Sequence, residues 1–392
     1  MRKVTGTIYL KRGREASVKR FHPWVFSGAI ERTEGTPEDG DWMEVKDAQK
    51  KTLGFGHYQK GTITVRLFSF SEQAPDEKIY SDKILSAFNQ RVFTKVISDH
   101  TNSYRLVHGE GDGLPGLIID VYNGVAVIQA HTIGIHLDRY SIVDAIKGSL
   151  FKSIHSIYYK SQNTLPVKTE NEYLLGMGAV PHIITEHENK FLVDWEEGQK
   201  TGFFLDQREN RKLLGHMAKG ASVLNTFCYT GGFSVYALNA GARLVHSVDA
   251  SEKAVELTRK NIELNGFDAK EHTCFGSDTF DFLKDKKDEY DLIILDPPAF
   301  AKHKDARHQA MKGYQRLNAE AMRAIKSNGI IFTFSCSQVV DKQLFYDTVV
   351  SSAIQAGREI KVLQHLGQPA DHPVSIYHPE GEYLKGLVLY VA

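Results

Sequence analysis

From Val223 to Asp249 the chain reads ValLeuAsnThrPhe, CysTyrThrGlyGly, PheSerValTyrAlaLeuAsnAlaGlyAlaArg and LeuValHisSerValAsp. An apolar run, a glycine turn, a helical run and a second apolar run closing on an acid spell strand, turn, helix, strand. In such a unit the glycines let the backbone pass close to a ligand. The helix N-terminus offers free N–H donors, and an acid ending the second strand can hold ribose hydroxyls. Asp249 lies 18 residues after Gly231, near the ~20 expected of a ribose-binding acid. The alternative is a tight turn in an ordinary parallel sheet.

The full GxGxxG pattern is absent, and only Gly231–Gly232 remains. Two adjacent glycines leave little backbone room for a pyrophosphate. The unit therefore points away from NAD and toward a nucleoside cofactor without phosphates, such as S-adenosylmethionine.

Working outward, 392 residues predict two to three domains, and 42% hydrophobic with 24% charged residues is ordinary for a globular protein. No stretch approaches the ~20 apolar residues of a membrane span, and the start, MetArgLysValThrGly, lacks a signal peptide's apolar core. Cys228, Cys274 and Cys336 are widely spaced, which argues against a disulfide framework or structural zinc and fits a reducing cytoplasm. Basic and acidic residues balance at 48 each, yet residues 1–20 hold seven Lys/Arg against the single acid Glu15. Lys11, Arg12, Arg14, Lys19 and Arg20 could face phosphates, or be a solvated edge.

Residues 1–72 read as a small β-rich unit of short strands between Gly, Asp and Pro turns. HisProTrpValPheSerGlyAlaIle (22–30) sets aromatics beside this basic run. Rings amid cations suit unpaired bases, although Trp24 and Phe26 could equally be core. The polar GluGlnAlaProAspGlu (72–77) predicts a linker into a middle α+β domain, 73–184. This domain holds a helix over about 77–99, a glycine-punctuated loop within 104–120, and a hairpin turning at Asn123–Gly124. The acids Glu110, Asp112 and Asp120 read as turn residues, and no metal is assigned.

Strands and helices then alternate across 185–392, which predicts a doubly wound α/β sheet. A long helix over about 306–326 ends at Asn328–Gly329. Ligands of such sheets bind outside the carboxyl ends of the strands, and five functional groups fall there: the Tyr229–Gly232 turn, Asp249, Asp278, Asp296 and Cys336. In Asp296-Pro297-Pro298 the prolines stiffen the strand exit and remove N–H donors, leaving a carboxylate and carbonyls for a planar base. A structural turn is the other explanation. Cys228 and Cys274 read as core thiols. Cys336 leaves its strand between two serines, where a thiolate could be exposed and nucleophilic.

Six blocks, taken in order, resemble the bacterial 23S rRNA cytosine-5 methyltransferase family. They are HisProTrpValPheSerGlyAlaIle, GlyGluGlyAspGlyLeuProGlyLeu, GlyGlnLysThrGlyPhePheLeuAspGlnArg, AsnThrPheCysTyrThrGlyGlyPheSer, AspProProAlaPheAlaLys and SerCysSer. The resemblance covers nearly the whole chain. It implies a small β-barrel PUA-like domain for RNA (1–72) and a Rossmann-like class I methyltransferase domain (185–392) using S-adenosylmethionine. It further implies Cys336 as nucleophile and Asp296 on the base edge. Tyr229, Thr230 and Gly231 would line the methionine side, Asp249 the ribose and Asp278 the adenine amino group, with Gly232, Ser251 and Asp296 also in the cofactor site. Phe204, Asp206 and Arg208 would close over the cofactor. Lys302 and Lys304 would join the N-terminal cations and Trp24 in holding RNA. Ribosomal RNA is the partner implied, no membrane is, and a second copy of the chain stays open. The rivals are a uridine-5 methyltransferase, an amino-methyltransferase (disfavoured because Ala299 stands where a stacking aromatic is wanted) and an RNA-binding protein with a vestigial fold.

Overall fold

The computed structural model describes residues 3–150, 152–301 and 303–392. The chain divides into two compact units, each built from separate segments. One comprises Met1–His182, Val193–Phe203 and Ala370–Gly381; the other comprises Ile183–Leu192, Phe204–Pro369 and Glu382–Ala392.

The first unit holds two sheets. Strands β1 (Val4–Leu10), β2 (Trp24–Phe26), β3 (Ile30–Glu34), β4 (Trp42–Lys46), β5 (Thr52–Tyr58) and β6 (Ile63–Ser69) form one, in the order β2-β6-β5-β4-β1-β3. Helix α1 (Ala16–Lys19) interrupts it. Ile8, Leu10, Val25, Val45, Val65 and Leu67 fill its interior. After the polar stretch come helix α2 (Ile79–Phe93) and strands β7 (Ser103–His108), β8 (Leu117–Tyr122) and β9 (Val125–Ala130). Helices α3 (Ile133–Leu137) and α4 (Arg139–Leu150), then β10 (Ser156–Tyr159) and β11 (Glu172–Leu175), complete a second sheet in the order β11-β10-β9-β8-β7. Asn123 and Gly124 both have positive φ, 45° and 88°, as a type I′ hairpin turn requires.

Trp42 and Phe68 of the first sheet share one buried cluster with Tyr80, Ile84 and Leu106. At its centre a single carboxylate oxygen, Asp138 Oδ2, accepts from Trp42 Nε1 at 3.0 Å and Tyr80 OH at 2.7 Å, and lies 3.0 Å from His57 Nε2. The loop acids also have local duties. Arg91 grips Asp112 with two nitrogens, Arg105 grips Asp120 likewise, and Trp24 Nε1 donates to Glu110.

The second unit opens with the hairpin β12 (His182–Glu186) and β13 (Asn189–Val193) and helix α5 (Arg208–Met217). Alternation follows: β14 (Ser222–Thr226), α6 (Gly232–Asn239), β15 (Leu244–Asp249), α7 (Glu252–Leu264), β16 (His272–Gly276), α8 (Thr279–Lys284) and β17 (Tyr290–Leu295). Helix α9 (Arg307–Ala324), β18 (Ile325–Ser335), α10 (Lys342–Ala356), β19 (Ile360–Leu366) and β20 (Lys385–Val391) finish it. The sheet runs β16-β15-β14-β17-β18-β20-β19. Its first five strands are parallel, while β20 lies antiparallel between β18 and β19. The central strands carry buried apolar runs, as in Leu292–Leu295 of β17.

Helix α7 illustrates how the sequence sets an element. Ser251 caps its start by accepting from the Ala254 N–H, and Ala254, Val255, Thr258, Asn261 and Ile262 form its buried face. Asn265 and Gly266 (φ 84°) end it. Two boundaries differ from expectation, the first being helix α2, which ends at Phe93 rather than near residue 99. Helix α9 stops at Ala324, because Ile325 turns extended and pairs with Tyr290. Asn328–Gly329 instead lies inside β18, with Asn328 at φ 68°.

Candidate active site

The carboxyl ends of the parallel strands assemble the site. After β14 the chain turns sharply, with Phe227, Tyr229 and Gly231 all at positive φ. Helix α7 holds this turn from beneath: Thr258 Oγ1 donates to the Tyr229 carbonyl at 3.0 Å and Asn261 Nδ2 to the Thr230 carbonyl at 2.8 Å. At Gly231 (φ 74°) a Cβ would stand 2.7 Å from Thr258 Cγ2, so glycine is required by both conformation and space. Gly232 opens α6.

Asp249, ending β15, accepts from the Tyr229 N–H (3.1 Å) and the Ser251 N–H (2.9 Å), tying the glycine turn to the next strand. A carboxylate has about four acceptor positions, so Asp249 keeps capacity for ligand hydroxyls. Asp278, after β16, uses Oδ1 to cap α8 through the Phe280 and Asp281 N–H groups. Its Oδ2 takes no bond from the described residues. The Phe204 and Tyr229 rings meet edge to face at 5.1 Å. Diol, amine and aromatic partners thus stand along one rim, a donor and acceptor set that fits a nucleoside without phosphates.

Asp206 and Arg208 lie at the entry to helix α5. Both are buried; Asp206 accepts from Tyr383 OH at 2.7 Å, and Arg208 lies 3.5 Å from Glu186. Glu186 is fully buried, held bidentately by Arg211 (2.8 and 2.7 Å), and accepts from Tyr236 OH. This acid went unnoticed in the sequence because its partners lie 22 to 50 residues away.

Asp296 directly follows β17 and Cys336 directly follows β18. Ser337 binds the two motifs together, its hydroxyl donating to the Ala301 carbonyl at 2.6 Å. Fully buried Tyr314 stands by both: burial pushes its phenol up to about 12, and the charges of Cys336 and Asp296 add to the rise. Of the other thiols, Cys228 is buried and Cys274 half-buried. Burial pushes Cys274 up to about 11 and Cys228 well above its ordinary value.

Lys385 is a site residue that sequence reasoning missed. It starts β20, is 4% exposed, and its ammonium donates to the Ser337 and Tyr383 carbonyls, both at 2.7 Å. Burial pushes it down to about 8 against the opposing pull of Cys336, Asp341 and Glu382. The available signal was a lysine leading straight into the apolar run GlyLeuValLeuTyrVal.

Among the proposed RNA contacts, Arg12, Arg14 and Arg20 are exposed. Lys11 donates to the Gly28 carbonyl, Lys19 pairs with Asp47 and Glu15, and Trp24 is half-buried. Lys304 opens a short turn, Lys304–Ala306, and Lys302 lies outside the described residues.

The sheet order and the ligand rim together define a class I S-adenosylmethionine-dependent methyltransferase, and residues 157–374 match the model of the S-adenosylmethionine-dependent methyltransferase family. Residues 8–70 match the PUA-like domain model. The chain is 38% identical to ribosomal RNA large subunit methyltransferase I of Alteromonas mediterranea, covering 99% of each chain. It is 39% identical to its namesake in Pseudoalteromonas atlantica, over 99% of this chain and 100% of that one. The chain belongs to the ribosomal RNA large subunit methyltransferase I family. The fold agrees with a Streptococcus mutans protein described as S-adenosylmethionine-dependent (TM-score 0.84, 24% identity, 98% of this chain and 100% of that one). It agrees equally with a methyltransferase solved with SAH (TM-score 0.85, 24% identity, 99% and 100%). No helix among the described residues is long and apolar enough to cross a membrane.

Proposed function

We propose that this protein methylates carbon 5 of a cytosine in large-subunit ribosomal RNA through a covalent adduct with Cys336. The observation carrying this reading is the Cys336 junction, where the thiol at the rim has a buried ammonium, Lys385, as a charge neighbour and is tied through Ser337 to the Asp296 turn. A cation beside a thiol favours the thiolate, which is the nucleophilic form.

Carbon 5 of cytosine is too weak a nucleophile to be methylated directly. The Cys336 thiolate adds to carbon 6, forming the S–C6 bond and moving the C5–C6 π pair onto the ring, so that carbon 5 becomes enamine-like. Asp296 holds the base edge at ring nitrogen 3 and the amino group while that charge develops. Bound S-adenosylmethionine supplies a methyl group on a positively charged sulfur. Once carbon 5 carries the methyl, its proton is lost to a base, the electron pair restores the double bond and the S–C6 bond breaks. A base within a helix must first leave its stack. Residues 1–72 serve RNA binding and 185–392 catalysis. For the cofactor, the Tyr229–Gly232 turn and Phe204 take the methionine side, Asp249 and Ser251 the ribose, and Asp278 the adenine; Asp206 and Arg208 support this wall from within.

Labelled S-adenosylmethionine and ribosomal RNA from cells lacking the protein test the reading. Wild type should yield 5-methylcytidine and Cys336→Ala none. Label in 5-methyluridine would transfer the same chemistry to uridine. Label on a purine, or undiminished activity in Cys336→Ala, would remove Cys336 from the mechanism.

A further inference from the structure

The mechanism proposed above uses no residue of the glycine-punctuated loop at 109–117. That loop lines a cavity of about 330 Å3, together with Phe21, Phe70, Lys83 and Tyr377. That volume is within the range of small-ligand pockets, about 300–1,000 Å3, and all these residues belong to the first compact unit.

Three features say what would fit. Lys83 is half-buried, and among the described residues no hydrogen bond or ion pair reaches its ammonium. The charge it feels is Asp112, whose carboxylate is already taken by Arg91 (2.6 and 2.7 Å) and the His108 N–H (2.6 Å). A desolvated cation without a partner calls for an anion. Gly113, at φ 68°, makes room for it, since a Cβ there would stand 2.8 Å from Lys83 Nζ.

Second, Phe21 and Tyr377 are 49% and 51% exposed with ring centroids 5.3 Å apart. They touch each other, so a flat ligand stacks on an outer face rather than between them. Phe21 also holds a left-handed φ of 63°, a costly state for a bulky side chain that places its ring at the cavity. Third, Glu110 Oε1 is oriented by Trp24 Nε1 at 2.9 Å, while Oε2 has no donor among the described residues and can accept an N–H. Anion, flat aromatic and N–H donor together describe a nucleotide.

We propose that this cavity binds one nucleotide of single-stranded RNA, with its base stacked on Phe21 or Tyr377, its base edge donating to Glu110 and its phosphate on Lys83. The exposed Arg20 immediately before Phe21 favours a polymer over a free nucleotide, because it extends the positive charge past one phosphate. The inference rests on the RNA-substrate reading only for the class of polymer, and its test reads binding rather than turnover.

The probe is a fluorescein-labelled 12-nucleotide single-stranded RNA of mixed sequence, titrated into the full-length protein with cytidine 5′-monophosphate as competitor. Tyr377→Ala, and Phe21→Gly, which keeps the backbone conformation, should each weaken binding roughly 5- to 100-fold. Lys83→Met should lower the slope of log affinity against log salt by about 0.7. Unchanged circular dichroism and an unchanged urea unfolding curve confirm that the variants are folded. Wild-type affinity and salt slope in all three variants would overturn the proposal while leaving the Cys336 chemistry untouched. Failure of wild type to bind the RNA would overturn it along with the RNA-substrate reading. A mononucleotide that binds more tightly than the oligonucleotide, and is not displaced by it, would assign the cavity to a free ligand instead.

Discussion

Lys385 faces Ser335 across the antiparallel β18–β20 pair, one residue from Cys336, and its ammonium holds the Ser337 carbonyl at 2.7 Å. Strand register therefore delivers a buried positive charge to the candidate nucleophile.

Replacing Lys385 with Met should move the pH dependence of Cys336 alkylation upward by about one unit and slow methyl transfer at neutral pH roughly tenfold. Activity should recover partly as pH rises, and Lys385→Arg should retain more of it. Iodoacetamide labelling of a Cys228→Ala/Cys274→Ala background across pH 6–10 reads the shift directly; an unmoved profile would reduce Lys385 to a structural prop.

Stability should also depend on pH through this lysine. Its folded value, about 8, lies below the ordinary 10.5, so the unfolded chain holds more protons between these limits. Stability attributable to Lys385 then rises with pH from about 8 to 10.5, by up to ~3 kcal/mol, and the cost is fully present below 8. Urea unfolding of wild type and Lys385→Met at pH 7 and pH 10 should show the difference between them shifting toward wild type. A constant difference would contradict the burial cost.

Asp249→Ala should weaken S-adenosylmethionine binding about 10- to 100-fold. It removes a charged acceptor and frees the N–H groups of Tyr229 and Ser251, and hydrogen bonds to charged groups are each worth roughly 1.5–3 kcal/mol. Calorimetric titration decides, and wild-type affinity would take Asp249 out of the cofactor site.

In the first unit, Asp138→Ala should destabilise by about 3–5 kcal/mol, because Trp42, Tyr80 and His57 lose a common buried partner. A drop under ~1 kcal/mol in chemical unfolding would mean that water replaces the carboxylate.

The parallel sheet was readable because its signals are local. Val223–Thr226, Leu244–Asp249 and Tyr290–Leu295 are largely apolar stretches closed by turns or acids, and the functional groups sit at the strand ends or just beyond them, Asp249 ending β15 and Asp296 following β17. Ser251 and Asn265–Gly266 marked α7 for the same reason. Contacts between distant residues could not be read. Glu186 meets Arg211 and Tyr236 only through folding, Lys385 reaches Cys336 only through sheet order, and Asp138 gathers donors 58 to 96 residues away. Asn328–Gly329 misled because a helix stop and a strand kink use the same residues.

The interleaving of the two units has a consequence for synthesis. Residues 370–381 complete the first unit, while β20, made later still, fills the gap between β18 and β19. The first unit thus waits for residues 370–381 and the second for Lys385–Val391, so each closes on segments made long after its opening strands. Lys385 belongs to β20, so the thiol of Cys336 acquires its neighbouring charge only when that strand pairs with β18.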